Sequence, residues 1–292
     1  MFLKILFQTQ LKNLAKLCTS FLFFIPFVAP NSQAGAWLVD EGKSKTISEV
    51  SYYSANKFID SDGSKSAIPS FTKLEISNLI EYGYSSNLTL GAKPFFSYVD
   101  DKSSQHQAPN ISVIELFSRH KLFEKNKQIS SLENKLILPG FYNEQKNSIN
   151  TNALPTKNDD ADFELSFNLG SSLLLNNTPS FYNFSIGFGN NVKNFFEADA
   201  NPYLKTELTF GYEFLPNWLI MPKILGNFSL YSQNNAQIYT INQKNYSLIK
   251  PQIGIVKKLT KELSIEVSCF HDLWGENTSM GNGGLISIWK DF

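Results

Sequence analysis

"DADFELSFNLGSSL" occupies residues 160–173, and its side chains sort into two sets. One parity carries Phe163, Leu165, Phe167, Leu169 and Leu173; the other carries Asp162, Glu164, Ser166, Asn168, Gly170 and Ser172. Successive side chains of a strand point to opposite faces, so a strand here has one greasy face and one polar face. "YNFSIGFG" at 182–189 and "LKTELTFGYEF" at 204–214 repeat the alternation. A helical repeat fits none of the three.

Extended along the chain, the same pattern predicts about twelve strands, near 45–57, 70–84, 88–100, 111–124, 129–139, 160–174, 180–192, 202–214, 218–232, 245–259, 263–275 and 283–292. Tight turns are expected at Ser85–Asn87, Lys125–Gln128, Asn176–Pro179, Leu215–Asn217 and Thr260–Glu262. Longer polar loops are expected at 58–69, 101–110, 140–159, 193–201, 233–244 and 276–282. Three of the short turns share a weak repeat, "YGYSSNLTLG", "YEFLPNWLIM" and "KKLTKELSIE", each apolar on both sides of the turn. Short turns at one end and long loops at the other are what a single antiparallel up-and-down transmembrane β-barrel requires. A soluble two-sheet sandwich would also alternate, but it would not sort its connections by length. The expectation is therefore an all-β chain, with loops 140–159 and 233–244 outside the cell.

Composition agrees with that reading. Phe, Tyr and Trp make up 14% of the 292 residues, yet mean hydropathy is slightly negative. A barrel with apolar residues outward and polar ones inward meets both conditions. Formal net charge is zero, with Arg119 the only arginine, so nothing favours a nucleic-acid partner.

Residues 1–36 have the three parts of a secretory leader. Lys4, Lys12 and Lys16 give the positive start, Ser20 to Ala29 the apolar stretch, and Ala34-Gly35-Ala36 the small-residue cleavage site. Cleavage is expected after Ala36, with Ala34 as the second candidate, leaving 37–292 as the barrel. The apolar stretch is too short for a spanning helix, which needs about 20 residues. Cys18 lacks the small preceding residue of a lipid-anchor site, and Cys269 is left as the one thiol of the mature chain.

"GGLISIWKDF" ends the chain on Phe292. Ile286, Ile288 and Phe292 share the lipid-facing parity, which sets the terminal ring at a membrane interface. Such an ending resembles the signal that the outer-membrane assembly machinery reads in Gram-negative barrels. The resemblance implies periplasmic chaperones and that machinery as partners, outer-membrane lipid as surroundings, and the Gram-negative outer membrane as destination. Lys290 stands where that signal usually has an apolar residue.

"AWLVDEGKSKTISEVSYYSANKFIDSDG", "EYGYSSNLTLGAKPFFS", "ELFSRHKLF", "LPG" and "GNGGLISIWKDF" resemble a group of little-characterised proteobacterial outer-membrane proteins. Members begin the mature chain with Ala-Trp and a glycine-containing turn, as Ala36-Trp37 and Gly42 do here. They are grouped with transporters of the phenol-degradation, meta-pathway type. The resemblance implies a barrel and a transport role and carries no substrate.

Chemistry is sparse. An outer-membrane phospholipase would need a His-x-Ser pair, and His106, His120 and His271 are followed by Gln107-Ala108, Lys121-Leu122 and Asp272-Leu273. Asp159, Asp160 and Asp162 lack the ligand spacing and glycine of a calcium loop, so no metal and no cofactor is expected. "GFGNN" and "GNGG" lack a strand-to-helix context for phosphate and are taken as turns and small lumen residues. The loops carry Phe141, Tyr142, Phe195 and Phe196 as candidate contacts.

The polar parity is more informative. It carries Glu75, Glu81, Glu115, Glu133, Glu164, Glu207, Glu213 and Glu266, faced by Lys73, Lys93, Arg119, Lys121, Lys135, Lys205, Lys223 and Lys250. Arg119 is expected to pair with Glu115. These charges either lace the interior together or line a path for solutes. About 8 strands fill their own interior and 16–18 leave an open channel, so twelve lies between. Function is therefore expected to be a narrow or partly occluded channel or transporter for small polar or hydrophobic solutes. A structural or surface-binding barrel without transport is the alternative, and an enzyme the least supported reading.

Overall fold

Asn126 and Lys127 take φ of 52° and 69°, and Asn176 and Asn177 take 50° and 63°. Two left-handed residues in succession form the hairpin turn whose twist matches the strands it joins, and asparagine tolerates that region. Asn217, at φ 65°, follows Pro216 in a third tight connection. Around such turns the chain folds into β1 (Ser44–Ile59), β2 (Lys65–Ser85), β3 (Leu88–Asp101), β4 (His106–Lys125), β5 (Gln128–Pro139), β6 (Asp162–Leu175), β7 (Thr178–Asn191), β8 (Tyr203–Leu215), β9 (Trp218–Ser229), β10 (Ser247–Lys258), β11 (Leu263–His271), β12 (Trp274–Glu276) and β13 (Thr278–Asp291).

The computed structural model describes residues 35–101, 106–140, 161–192, 202–230 and 246–292, with backbone alone for 101 and 106–112. The leader through Ala34, the loop expected at 140–159 from residue 141 on, those expected at 193–201 and 233–244, the loop aromatics, the His106 side chain, Asp159 and Asp160 lie outside the described residues.

Neighbouring strands pair antiparallel in chain order, and β13 pairs with β1 to close the ring, with Val50 opposite Ile286 and Ile47 opposite Trp289. β11 and β12 both pair with β10 and share one place in the wall, interrupted at Asp272-Leu273. The result is a closed antiparallel barrel with twelve places in its wall. Closure leaves no unpaired edge. No helix among the described residues is long and apolar enough to cross a membrane, which says nothing of strands.

Three connections differ from expectation; in 101–110, Asp101 belongs to β3 and residues 106–110 to β4. β1 and β2 run on to Ile59 and from Lys65, so 58–69 is mostly strand around a turn in which Gly63 donates to the Asp60 carbonyl at 3.0 Å. Likewise only Asn277 separates β12 from β13 within 276–282. Both stretches are polar, which reads as loop in sequence. Strands that rise past the apolar belt keep their backbone pairing while their side chains meet water.

The alternation is inside out. Val50, Ile76, Ile80, Phe96, Leu116, Leu165, Phe188, Leu208, Ile224, Ile253, Val267 and Ile286 are all exposed on the outer surface. Arg119, Glu133, Glu164, Asn168, Asn183, Gln252 and Glu266 are buried inside. Water would penalise so much apolar surface, whereas lipid favours it. At the short-turn end the interior holds one small apolar cluster: Phe181, Leu219, Met221 and Val256, with Trp37 and Trp289 packed against it.

Candidate functional site in the barrel lumen

Seven of the sixteen charged residues of the polar parity, carried by β2, β4, β5, β6 and β8, meet in one network. Arg119 on β4 reaches Glu81 on β2 and Glu133 on β5, each at 2.8 Å. Lys135 lies 3.5 Å from Glu133, 3.6 Å from Glu115 and 3.8 Å from Glu164. Lys205 continues the chain to Glu164 at 2.6 Å, where the Tyr203 hydroxyl also approaches. Across the barrel, Lys223 lies 3.7 Å from Glu266, which accepts from the Ser268 and Ser287 hydroxyls.

The remaining charged positions sit apart from this network. Lys73 pairs with Glu75, Lys93 covers the Phe95 ring, and Glu207 accepts from Thr209 at 2.9 Å. Lys121 and Glu213 lie at the short-turn rim, engaged with Glu124 at 3.0 Å and Lys258 at 3.4 Å. Lys250 lies over the Tyr53 and Phe270 rings and 3.7 Å from Asp272, which accepts from the Tyr53 hydroxyl at 2.6 Å. The glycines of "GFGNN" and "GNGG" supply room: Gly189 lies under the Tyr203 ring, and Gly283 under Phe270.

One expected pairing is corrected. Glu115 is the partner of Lys135, and Arg119 turns to Glu81 and Glu133 instead. The cause is β3, which presents Thr89 and Gly91 between β2 and β4. The space a side chain at Gly91 would fill is taken by the Phe117 ring, over which the Arg119 guanidinium lies at 5.3 Å. With nothing tall on β3, Glu81 and Arg119 meet above it.

A feature with no strand pattern completes the site. Residues 35–40 leave the wall and cross the lumen. At the β1 side, Glu41 bridges Gly83 in parallel, and the Gly42 amide donates to the Gly83 carbonyl at 2.8 Å. The Val39 amide then donates to Thr89 Oγ1 at 2.9 Å, and the Trp37 carbonyl accepts from the Arg119 guanidinium at 3.0 Å. The Ala36 amide ends the crossing by donating to Asn183 Oδ1 on β7 at 2.9 Å. The Trp37 ring meets Phe181 edge-on at 6.1 Å and lies over Gly170. Since β7 stands opposite β1 in a wall of twelve places, the segment spans the short-turn mouth from side to side.

At the closing strand, Ile286 and Ile288 are exposed outward and Phe292 is 65% exposed. The Phe292 amide donates to the Ser44 carbonyl at 2.8 Å, tying the last residue to β1. Lys290 shares that outer face, 3.8 Å from Glu262 and above the Phe292 ring.

No protein-family model and no curated protein matches the sequence. Solved structures do match the fold. An outer-membrane channel from Pseudomonas putida F1 superimposes with a TM-score of 0.63 at 13% identity, over 90% of this chain and 100% of that one. The NanC porin superimposes with a TM-score of 0.51 at 6% identity, over 83% of this chain and 98% of that one. The fold is that of an outer-membrane barrel.

Proposed function

We propose that this chain is an outer-membrane channel of a Gram-negative bacterium, narrow and closed at its short-turn end by residues 35–40. The observation that carries the reading is how that segment is held. Across the lumen its hydrogen bonds among the described residues run to three side chains, Thr89, Arg119 and Asn183, and Asp40 bonds Lys43, while neighbouring wall strands are joined by long runs of backbone pairing. Each hydrogen bond contributes about 0.5–1.5 kcal/mol net, so the crossing segment is the part of the lumen that can move while the wall stays intact. The short-turn end, where both ends of the barrel wall meet, faces the periplasm in this reading.

Solutes are small. Acidic and basic groups alternate along the inner wall, which gives a polar path with weak preference for either sign of ion. The apolar cluster beneath Trp37 extends the range to solutes with hydrophobic surface. Export by the leader, periplasmic chaperones and the barrel assembly machinery bring the chain to the membrane, with Ile286, Ile288 and Phe292 forming the exposed face of the closing strand.

Recording from the purified protein in planar bilayers tests the proposal. Small, infrequent openings are expected from the native chain. Trp37→Ala removes the ring that lies over Gly170 and against Phe181, and should raise open probability several-fold while leaving the wall folded. A silent native protein and an equally silent Trp37→Ala variant would favour a barrel that works through its surface alone.

A further inference from the structure

The leader can end in two places, after Ala34 in Ser32-Gln33-Ala34 or after Ala36 in Ala34-Gly35-Ala36. Both offer the small residues that leader cleavage takes. Ala36 separates them. It is completely buried, its amide donates to Asn183 Oδ1 at 2.9 Å, and its methyl group lies against Gly170. We propose that processing occurs after Ala34, so that the mature chain begins at Gly35 and its first two residues are the tip of the lumen segment. The proposal rests on residues 1–34 being a leader.

Hydrogen bonding supports this. Asn183 is 1% exposed, and its Nδ2 already has no partner among the described residues. Cutting after Ala36 removes the donor to Oδ1 and empties the space that the Ala36 methyl group fills against Gly170, losing both a hydrogen bond and packing. Charge points the same way. A chain starting at Trp37 would carry its α-ammonium on the residue whose carbonyl accepts from the Arg119 guanidinium, placing two cations together in the interior. Starting at Gly35 moves the ammonium two residues away, beside the polar Asn183 side chain. Gly35 also fits as a first residue there. The place of a Cβ is filled by the Asn183 side chain, so a larger residue would push that side chain aside.

The test is the mass and N-terminal peptide of the protein extracted from outer-membrane fractions. A mature chain beginning with Gly35 is expected. One beginning with Trp37 would overturn the proposal. A chain still carrying residues 1–34 would overturn both the proposal and the leader, whatever conductance the protein shows. A second variant removes dependence on that single reading. Ala36→Gln places a large side chain before the bond that follows residue 36 and leaves the bond after Ala34 with both its small residues. Unchanged processing to Gly35 is expected; accumulation of the precursor would contradict the assignment.

Discussion

Arg119→Ala should destabilise the barrel more than any other single truncation inside it, by about 3–5 kcal/mol, the usual cost of removing one partner of a buried ion pair. Arg119 is 7% exposed and bonds two carboxylates through a planar fork: Nε and Nη2 on Glu133, Nη1 on Glu81. Its loss leaves both carboxylates without their shared partner in the interior, with Lys135 beside Glu133 and Lys45 on β1 opposite Glu81. It also frees the Trp37 carbonyl, so conductance should rise as stability falls. Arg119→Lys should recover part of the stability, since one ammonium keeps the charge and loses the fork. Urea titration of the vesicle-inserted protein gives the stability, and bilayer recording gives the conductance. Wild-type values in both would mean that Arg119 does not join β2, β4 and the lumen segment.

Leu208→Arg on the outer face should cost about 2–4 kcal/mol, the penalty for a basic residue at the midplane of a barrel wall. Leu208 lies midway along β8, flanked across the strands by Phe184 on β7 and Ile224 on β9, all three on the outward parity. On a water-exposed surface the same change would stay within about 0.5 kcal/mol, because an exposed leucine loses little on becoming polar. The two environments therefore predict different results for one substitution, read from urea titrations of folding into vesicles. A change within that smaller range would place this face in water and remove the membrane from the account.

Much of the wall was legible because its signal is local. In β6 the odd residues Phe163, Leu165, Phe167 and Leu169 point outward and the even residues Glu164, Ser166 and Asn168 point into the lumen, and no distant partner is needed to decide this. The turns at Asn126-Lys127 and Asn176-Asn177 were legible for a similar reason, since left-handed backbone selects asparagine. Partner choice in the lumen is not local. That Arg119 selects Glu81 over Glu115 depends on the low profile of Thr89 and Gly91 on the strand between, and on Phe117 filling the space at Gly91. Small residues on an inward parity between two charged strands are the one trace of this in the sequence. Residues 35–40 left less. "GAWLVD" has no period, and what holds it is spread over β3, β4, β6 and β7, far away in the chain.

That segment is where channel and closed barrel part ways, and a reversible lock addresses it directly. Ala36 and Asn183 already approach through a 2.9 Å hydrogen bond, and Cys269 faces outward, so Cys269→Ser with Ala36→Cys and Asn183→Cys leaves one pair of thiols, inside the lumen. Bond formation is verified by mass under non-reducing conditions. Single-channel recording should then show openings abolished in the oxidised protein and restored on adding a reductant to the same bilayer. Equal conductance before and after reduction would contradict the claim that residues 35–40 close the channel.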